Sequence, residues 1–527
     1  MITPAQVKVA EYILDSSGIV EILQTELTTD LRGRKPNVDS IRLYLLGTFL
    51  SVHHDGKAAI SKAAKVLVKK ICLEDQIRLG VRQGNDAVKQ LSFDFYNVTR
   101  KISIVLGYGN SVTNIGDDER IRRHRVNTQI ADRMMDVFQV GPRSPMMAID
   151  ATGFWAWARG KTITLIDALI TAGAAPINNR RRWSTNGFDQ DANWGKKTAK
   201  DGTSVTFFGY EEHTLVQVPD DDESIDAAPR LIVRFEVAPA NEEIVDVTLD
   251  LINRAPHPVT DIIVDNHYHF KAFNRWGTEL AKRGIRQHHD LRSDEHGFIE
   301  YGQMRWAAGR AHCPATPDTL GTIIRPGPNE TEPALHEAFH RVIGIRKTYT
   351  MRRINLPQPD GAQRLQCPAL AGHVGCPLRP GTEAAAIAQG IPIITKPPDA
   401  NGPEPLPACC TQQTVKVTPP DKVLKLDQQH YWGSKKWANT YRKRTYVEGS
   451  YGNRKNDSTE NMSRGLFHVT GLPLVNIAIT MVNASYNLRM IQNWQQRTNT
   501  LPSDHPLLQS DDDIVGFRFI RAGDNAA

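Results

Sequence analysis

Over residues 1 to about 140, apolar side chains recur at three- and four-residue spacing, as in AQVKVAEYILDSSGIVEILQTEL and SIRLYLLGTFLSVHH. That is the period of helices with one buried face. Gly107, Gly109 and Gly116 punctuate the region. The pattern changes after Pro142. Met146, Met147, Ala148 and Ile149 form a short apolar run ending in Asp150, and runs of strand character follow at 162–170, 214–218 and 231–237. Asn241 is placed to cap a helix reaching about residue 253, with Glu242 and Glu243 in its first turn. Asp261, Ile262, Ile263 and Val264 form a second apolar run, ending in Asp265, and the spacing predicts a helix over 270–283 stopped by Gly284. Strand, helix, strand, helix predicts an α/β layer with the two aspartate-terminated runs side by side.

Beyond about residue 298 the order weakens. Residues 357–420 hold 13 of the 31 prolines, which predicts loop or irregular β structure in an inserted module. From Lys435 a helical pattern returns and runs to about 497, broken near 465–471. The chain thus divides into an all-α N-terminal region (1–140), the first part of an α/β core (141–297), a mainly β or irregular insertion (298–432), the second part of the core (433–500) and a tail (501–527). The tail reads as a solvated end, and its residues 514–520 also suit a short edge strand.

Composition narrows the class. The chain has 527 residues, 40% hydrophobic and 23% charged, enough for a sizeable core and incompatible with disorder throughout. No run reaches the roughly 18 apolar residues of a membrane helix. The nearest, 472–481, is short and contains Asn476. The first residues lack a basic cap followed by a long apolar stretch, so no secretion signal is expected. Six cysteines are too few for a disulfide scaffold and fit a reducing cytoplasm. A net charge of +6 says little by itself, but its distribution says more. Between Ser434 and Lys455, seven basic residues (Lys435, Lys436, Arg442, Lys443, Arg444, Arg454, Lys455) face one acid, Glu448. Arg120, Arg122, Arg123 and Arg125 form a second cluster, and Arg180, Arg181 and Arg182 a third. Such clusters suit a polyanion, although each also suits a solvated face.

Asp150 and Asp265 each end an apolar strand, and on adjacent strands their carboxylates would meet at one sheet edge. Paired carboxylates suit Mg²⁺, a hard cation that takes oxygen ligands, while a lone strand-end aspartate more often caps a turn. A third carboxylate comes from Glu448. Tyr441, Arg444, Glu448 and Lys455 fall within about 60° of one another on an α-helix, at roughly 100° per residue. An acid among so many cations is better explained by a metal, with the cations gripping phosphates, than by ion pairs along an exposed helix.

Tyr441, Arg444, Glu448 and Lys455 fit the spacing Tyr-x2-Arg-x3-Glu-x6-Lys. This resembles the signature around the third carboxylate of a large group of bacterial insertion-sequence transposases, the DDE transposases with an RNase H-like catalytic core. Asp150, in MMAIDATG, resembles the first aspartate of that core. Asp265, in DIIVDNHYHF, resembles the second, with Tyr268 as the tyrosine that follows it. The resemblance covers about 145–290 and 435–497, and many members carry an insertion where 182 residues separate Asp265 from Glu448. It implies cut-and-paste DNA transposition. Asp150, Asp265 and Glu448 would hold two Mg²⁺ or Mn²⁺ ions, and Tyr441, Arg444 and Lys455 would hold DNA phosphates near the cut. It also implies double-stranded DNA partners (terminal inverted repeats and target), a homodimer in the synaptic complex, a bacterial nucleoid-associated location, and no membrane. Relatives often cut the second strand through a hairpin with a flipped base; Trp432 and Trp437 are placed to serve, though core packing suits them better. The rival readings are a transposase-derived DNA-binding protein that no longer cuts, and another RNase H-like DNA nuclease.

Three further features stand outside that signature. His336, Glu337 and His340 match His-Glu-x-x-His, but no third ligand follows at short spacing, and Pro333 and Gly344 leave room for only a short helix, so surface histidines are expected. Cys367, Cys376, Cys409 and Cys410 fall in the proline-rich stretch and could form a structural zinc site, although adjacent Cys409 and Cys410 cannot easily both reach one ion; Cys72 and Cys313 read as structural. His267 and His269 flank Tyr268 and are at most supporting residues. The N-terminal region, with Arg120 to Arg125 near its end, suits recognition of the element's ends, and packing or dimerisation equally well.

Overall fold

The computed structural model describes residues 1–29, 36–108, 115–158, 189–198, 203–220, 224, 226–269, 273–327, 330–355, 357–358, 360–462 and 468–509. The strand expected at 162–170, Arg180 to Arg182 and the edge strand at 514–520 lie outside the described residues, as do the side chains of His267 and His269. The described chain is mixed α/β.

The N-terminal helices are α1 (Pro4–Ser17), α2 (Ile19–Thr29), α3 (Val38–Asp55), α4 (Ile60–Lys69), α5 (Leu73–Arg78), α6 (Ala87–Leu106) and α7 (Asp117–Asp136). Their ends follow local chemistry. Thr3 and Gln6 form a reciprocal capping box at α1, Pro4 opens its first turn, and Gly18 closes it at φ 68°. Asn37 caps α3, and Cys72 caps α5 by accepting from the Asp75 amide.

The main sheet contains β1 (Met146–Trp155), β2 (Asn193–Thr198), β3 (Ser204–Gln217), β4 (Ile232–Pro239), β5 (Asp261–Ile263) and β6 (Arg286–His288). Across it the order is β4-β3-β1-β5-β6, and β2 pairs with the first half of β3. β3 is antiparallel to both β1 and β4, whereas β5 is parallel to β1, and β6 to β5. Side chains alternate along β1: Ala148 and Phe154 enter the largest apolar cluster, Met147 and Ile149 the cluster on the other face. Helix α8 (Ile244–Asn253) and α9 (Gly277–Lys282) separate the parallel strands. The cap of α8 is Glu243, which accepts from the Val245 amide, and not Asn241, which sits in the preceding turn at φ 70°. The helix expected over 270–283 is regular only over Gly277–Lys282, with Gly284 beyond it at φ 68°.

Between β6 and residue 434 lie two three-stranded antiparallel sheets: β7 (Ile299–Tyr301), β8 (Met304–Ala307) and β9 (Arg310–His312), then β10 (Arg352–Arg353), β11 (Gln363–Gln366) and β12 (Val415–Val417). This stretch is less irregular than its prolines suggest. It carries α10 (Pro333–Thr348) and α11 (Thr382–Gln389). Gly344 lies inside α10 with open space where a Cβ would stand, so it does not end the helix.

The chain then returns through α12 (Lys435–Tyr441), a 3₁₀ turn (Arg442–Arg444), α13 (Thr445–Lys455) and α14 (Leu472–Thr498). Helix α14 is buried without interruption from Leu472 to Leu488 and packs on α3, α6, α7 and β4. A helix buried on every side needs its polar groups satisfied. Asn476 donates to the Asn127 carbonyl at 2.9 Å, and Asn487 bonds both the amide and the carbonyl of Ile232. Among the described residues, no helix is long and apolar enough to cross a membrane.

Candidate active site

The register of the parallel strands sets the geometry. Ala148 of β1 lies beside Ile263 of β5, and the same two-residue step leads from each to Asp150 and to Asp265. The two carboxyl groups therefore stand level near the carboxyl edge of the parallel pair. Asp150 Oδ1 accepts from the Ala151 amide at 2.8 Å. Glu448 arrives on α13. Arg444, in the turn before that helix, pairs with both sides: Nη1 lies 2.7 Å from Glu448 Oε1, and Nη2 lies 3.6 Å from Asp150 Oδ2, an ion pair without a hydrogen bond. Burial pushes the Asp150 carboxyl up to about 6; Arg444 opposes this, and the charges of Asp265 and Glu448 add to it. Carboxylates from three distant segments thus sense one another across one arginine.

The signature residues are helical but not on one continuous α-helix, because the 3₁₀ turn at Arg442–Arg444 separates α12 from α13. The four side chains still gather. Tyr441 stacks on Trp437 with ring centroids 5.2 Å apart, and burial pushes its hydroxyl up to about 12, with Arg444 opposing and Asp290 and Asp265 adding. Lys455 Nζ donates to Thr152 Oγ1 at 2.5 Å, two residues beyond Asp150 on the same strand. Tyr268 lies behind the site in the core. It is fully buried, accepts from the Thr248 hydroxyl at 3.2 Å and packs on Trp276. Trp432 and Trp437 are also core residues, donating to Asp290 Oδ1 and the His289 carbonyl.

Three residues not singled out in the sequence, together with Arg454, which read there only as part of a basic cluster, seat α13 on the sheet. Tyr451 donates from its hydroxyl to the Asp150 carbonyl at 2.6 Å. Arg454 and Glu212 form an ion pair at 2.6 Å with both side chains fully buried, and Asn483 of α14 donates to the same carboxylate oxygen at 2.8 Å. Glu212 lies opposite Thr152 in the β1–β3 ladder, so this pair fixes α13 to the strand that carries Asp150. Its neighbour Glu211 points the other way, as strand alternation requires, and lines a cleft of about 530 Å³ together with Asp150, Asp265, Lys196 and Glu242. The only sequence signal for the pair was two adjacent glutamates inside a strand pattern.

The all-oxygen donor set fits a hard divalent cation. Among the described residues, however, ligand atoms from three side chains approach within 4.8 Å of one another only at His124, Glu236 and Asp250. Closing Asp150, Asp265 and Glu448 around a shared ion requires Arg444 to move off two of them. Cys367, Cys376, Cys409 and Cys410 are all buried thiols, and Cys313 lies among them; burial, aided by Cys367, Cys410 and Cys376, pushes its thiol up to about 12. His336 and His340 sit on a 16-residue helix, longer than its sequence suggested, and are engaged by backbone carbonyls of Glu330 and Gly433. In the arginine cluster on α7, Arg122 pairs with Glu119 and Glu26, and Arg123 with Glu119. No protein-family model matches the chain, and no curated protein or solved structure matches it.

Proposed function

We propose that this chain is a DDE-type DNA transposase that moves an insertion sequence by cut-and-paste phosphoryl transfer. The observation that carries the reading is the convergence of Asp150, Asp265 and Glu448 at one sheet edge, with Arg444 between two of them. The strand order β4-β3-β1-β5-β6, with three antiparallel strands followed by two parallel to β1, supports an RNase H-like core. Asp150, Asp265 and Glu448 would hold the divalent ions, two Mg²⁺ or Mn²⁺, which when bound would supply Lewis-acid activation of a water or a DNA 3′-hydroxyl and charge stabilisation of the leaving oxygen. Arg444 and Lys455 grip phosphates beside the scissile bond, and Tyr441 braces the strand from its stack on Trp437. Glu211, Lys196 and Glu242 form the far wall of the cleft that admits the duplex end. Two copies act together, each on one inverted repeat, with the N-terminal helices as the DNA-recognition region.

The test is strand cleavage by the purified full chain, with Mg²⁺ or Mn²⁺, on DNA carrying the inverted repeats that flank its reading frame. Specific nicking at the repeat ends is expected, and it should disappear in Asp150→Ala, Asp265→Ala and Glu448→Ala while repeat binding survives. Repeat binding without any cleavage by the parent chain would instead identify a DNA-binding protein that does not cut. Cleavage retained by any one variant would remove that residue from the site.

A further inference from the structure

A second group of ligand-bearing side chains lies away from the acidic edge, where α7 meets β4 and α8. A ring nitrogen of His124, a carboxylate oxygen of Glu236 and one of Asp250 all lie within 4.8 Å of one another. Each comes from a different element: His124 from α7, Glu236 from β4, Asp250 from α8. Nε2 and Glu236 Oε1 are 3.7 Å apart, too far for a hydrogen bond. Two ligands at about 2.1 Å from one tetrahedral ion stand roughly 3.4 Å apart, so the pair is already near the span that coordination needs. Beside it is a cavity of about 10 Å³ lined by Tyr108, His124 and Glu236, room for about one water-sized particle.

Two further observations point to a cation. The first is orientation of the imidazole. His124 Nδ1 lies 3.0 Å from the Tyr108 hydroxyl. That contact fixes the ring with Nε2 turned toward Glu236 Oε1, the kind of outer-shell support that metal-ligating histidines carry. The second is charge. Four carboxylates (Asp132, Asp136, Glu236, Asp250) surround two guanidiniums, Arg234 and Arg254. The acids outnumber the bases by two, and Glu236 is buried. Arg254 donates to Glu236 Oε2 and to Asp250 Oδ2, while Glu236 Oε1 is the atom facing His124.

We infer that His124, Glu236 and Asp250 form a binding site for one divalent transition-metal ion of the zinc class, which fastens the N-terminal helices to the sheet. One imidazole nitrogen with two carboxylate oxygens suits Zn²⁺ better than Mg²⁺, which favours oxygen alone. The ion joins three elements that otherwise meet through arginine pairs. This site is independent of the phosphoryl-transfer reading, which stands or falls on other residues.

The experiment uses the full chain carrying Asp150→Ala, Asp265→Ala and Glu448→Ala, so that the acidic edge takes no ion, and titrates it with Co²⁺ as a spectroscopic stand-in for Zn²⁺. One equivalent is expected, with d–d absorption and without the intense sulfur-to-cobalt band that binding at the buried cysteines would give. Adding His124→Gln or Asp250→Asn should abolish that equivalent, and Tyr108→Phe should weaken it roughly tenfold or more. Zinc should raise the melting temperature of the parent and not that of the His124→Gln chain. The inference is overturned if no N/O-type equivalent is found, if the signal carries the sulfur band, or if it survives both ligand substitutions. Asp250 is half-exposed, so Asp250→Asn keeps the test decisive should His124→Gln disturb packing.

Discussion

The two acid-rich groups, Asp150–Asp265–Glu448 and His124–Glu236–Asp250, are built from nearly the same residue types and end up with different chemistry. At the first, the carboxylates line an open cleft, and a single guanidinium from a 3₁₀ turn, Arg444, spans two of them. At the second, Arg234 of β4, which is buried, and Arg254 at the C-terminus of α8 hold the carboxylates in place beside a void of atomic size. The difference lies in the counter-charge and the space rather than in the acids. Two cations and a small pocket suit a resident ion that ties elements together. A single arginine and an open cleft suit a site that must admit a large anionic substrate and give it up again. Structural and catalytic metal centres divide along the same line, closed against open.

Substitutions can pull the comparison apart. The largest contrast is expected in cleavage: Asp150→Ala should lower it by at least about a thousandfold, whereas Asp250→Asn should leave it within about threefold, as read from nicked repeat DNA. Equal losses in both would mean that the two groups are one functional unit. Next comes the seat of α13. Arg454→Met leaves the Glu212 charge buried without its partner and should cost about 3 kcal/mol or more in denaturant unfolding, and adding Glu212→Gln should recover much of that. An unchanged unfolding midpoint would deny the pair any role in holding the helix.

Acid should act on the protein body as well as on its edge. Burial pushes His53 and His213 down to about 4, and His54 and His312 down to about 3. Each is neutral when folded but takes a proton near 6.5 when unfolded. The contribution of each is therefore flat above that pH and falls as pH drops from about 6.5 toward 4, by up to about 1.4 kcal/mol per pH unit, while Asp150 and Glu236, which burial pushes up to about 6 and about 7, oppose it over part of that range. Stability that stays constant down to pH 4.5 would contradict their burial. The smallest effect is expected from Arg444→Ala, about a tenfold loss of strand transfer together with tighter Mn²⁺ binding at the edge, because the competing cation is gone. Weaker Mn²⁺ binding would show that Arg444 organises the carboxylates instead of shielding them.

Much of the edge was legible in the chain because its signals are local. An apolar run that ends in aspartate announces a strand and its exit at Asp265, but at Asp150 the strand runs on to Trp155 because its far half stays paired with β3; the spacing from Tyr441 to Lys455 announces a helical face. The 3₁₀ turn inside that face was not legible, since it depends on how α12 meets the body of the protein. Glu212 and Asn483 were invisible, and Arg454 was read only as part of a basic cluster, for a related reason: whether a charge is buried is decided by partners far away in the chain. His124, Glu236 and Asp250 share no sequence window at all. The cap of α8 shows the limit at short range. Asn241 and Glu243 are both competent N-caps, and the choice falls to Glu243 because Asn241 is taken up in the left-handed turn before it.

The union of Glu212, Arg454 and Asn483 also imposes an order on biosynthesis. β3 is synthesised well before α14, and domains generally gain structure as their chain emerges. Until Asn483 is out, the Glu212 carboxylate lacks one of its partners, and the platform beneath Glu448 is unfinished. A polypeptide cut between Glu448 and Asn483 would carry all three acids yet lack Asn483 to complete the Glu212–Arg454 seat, so the edge matures only after α14 has been made.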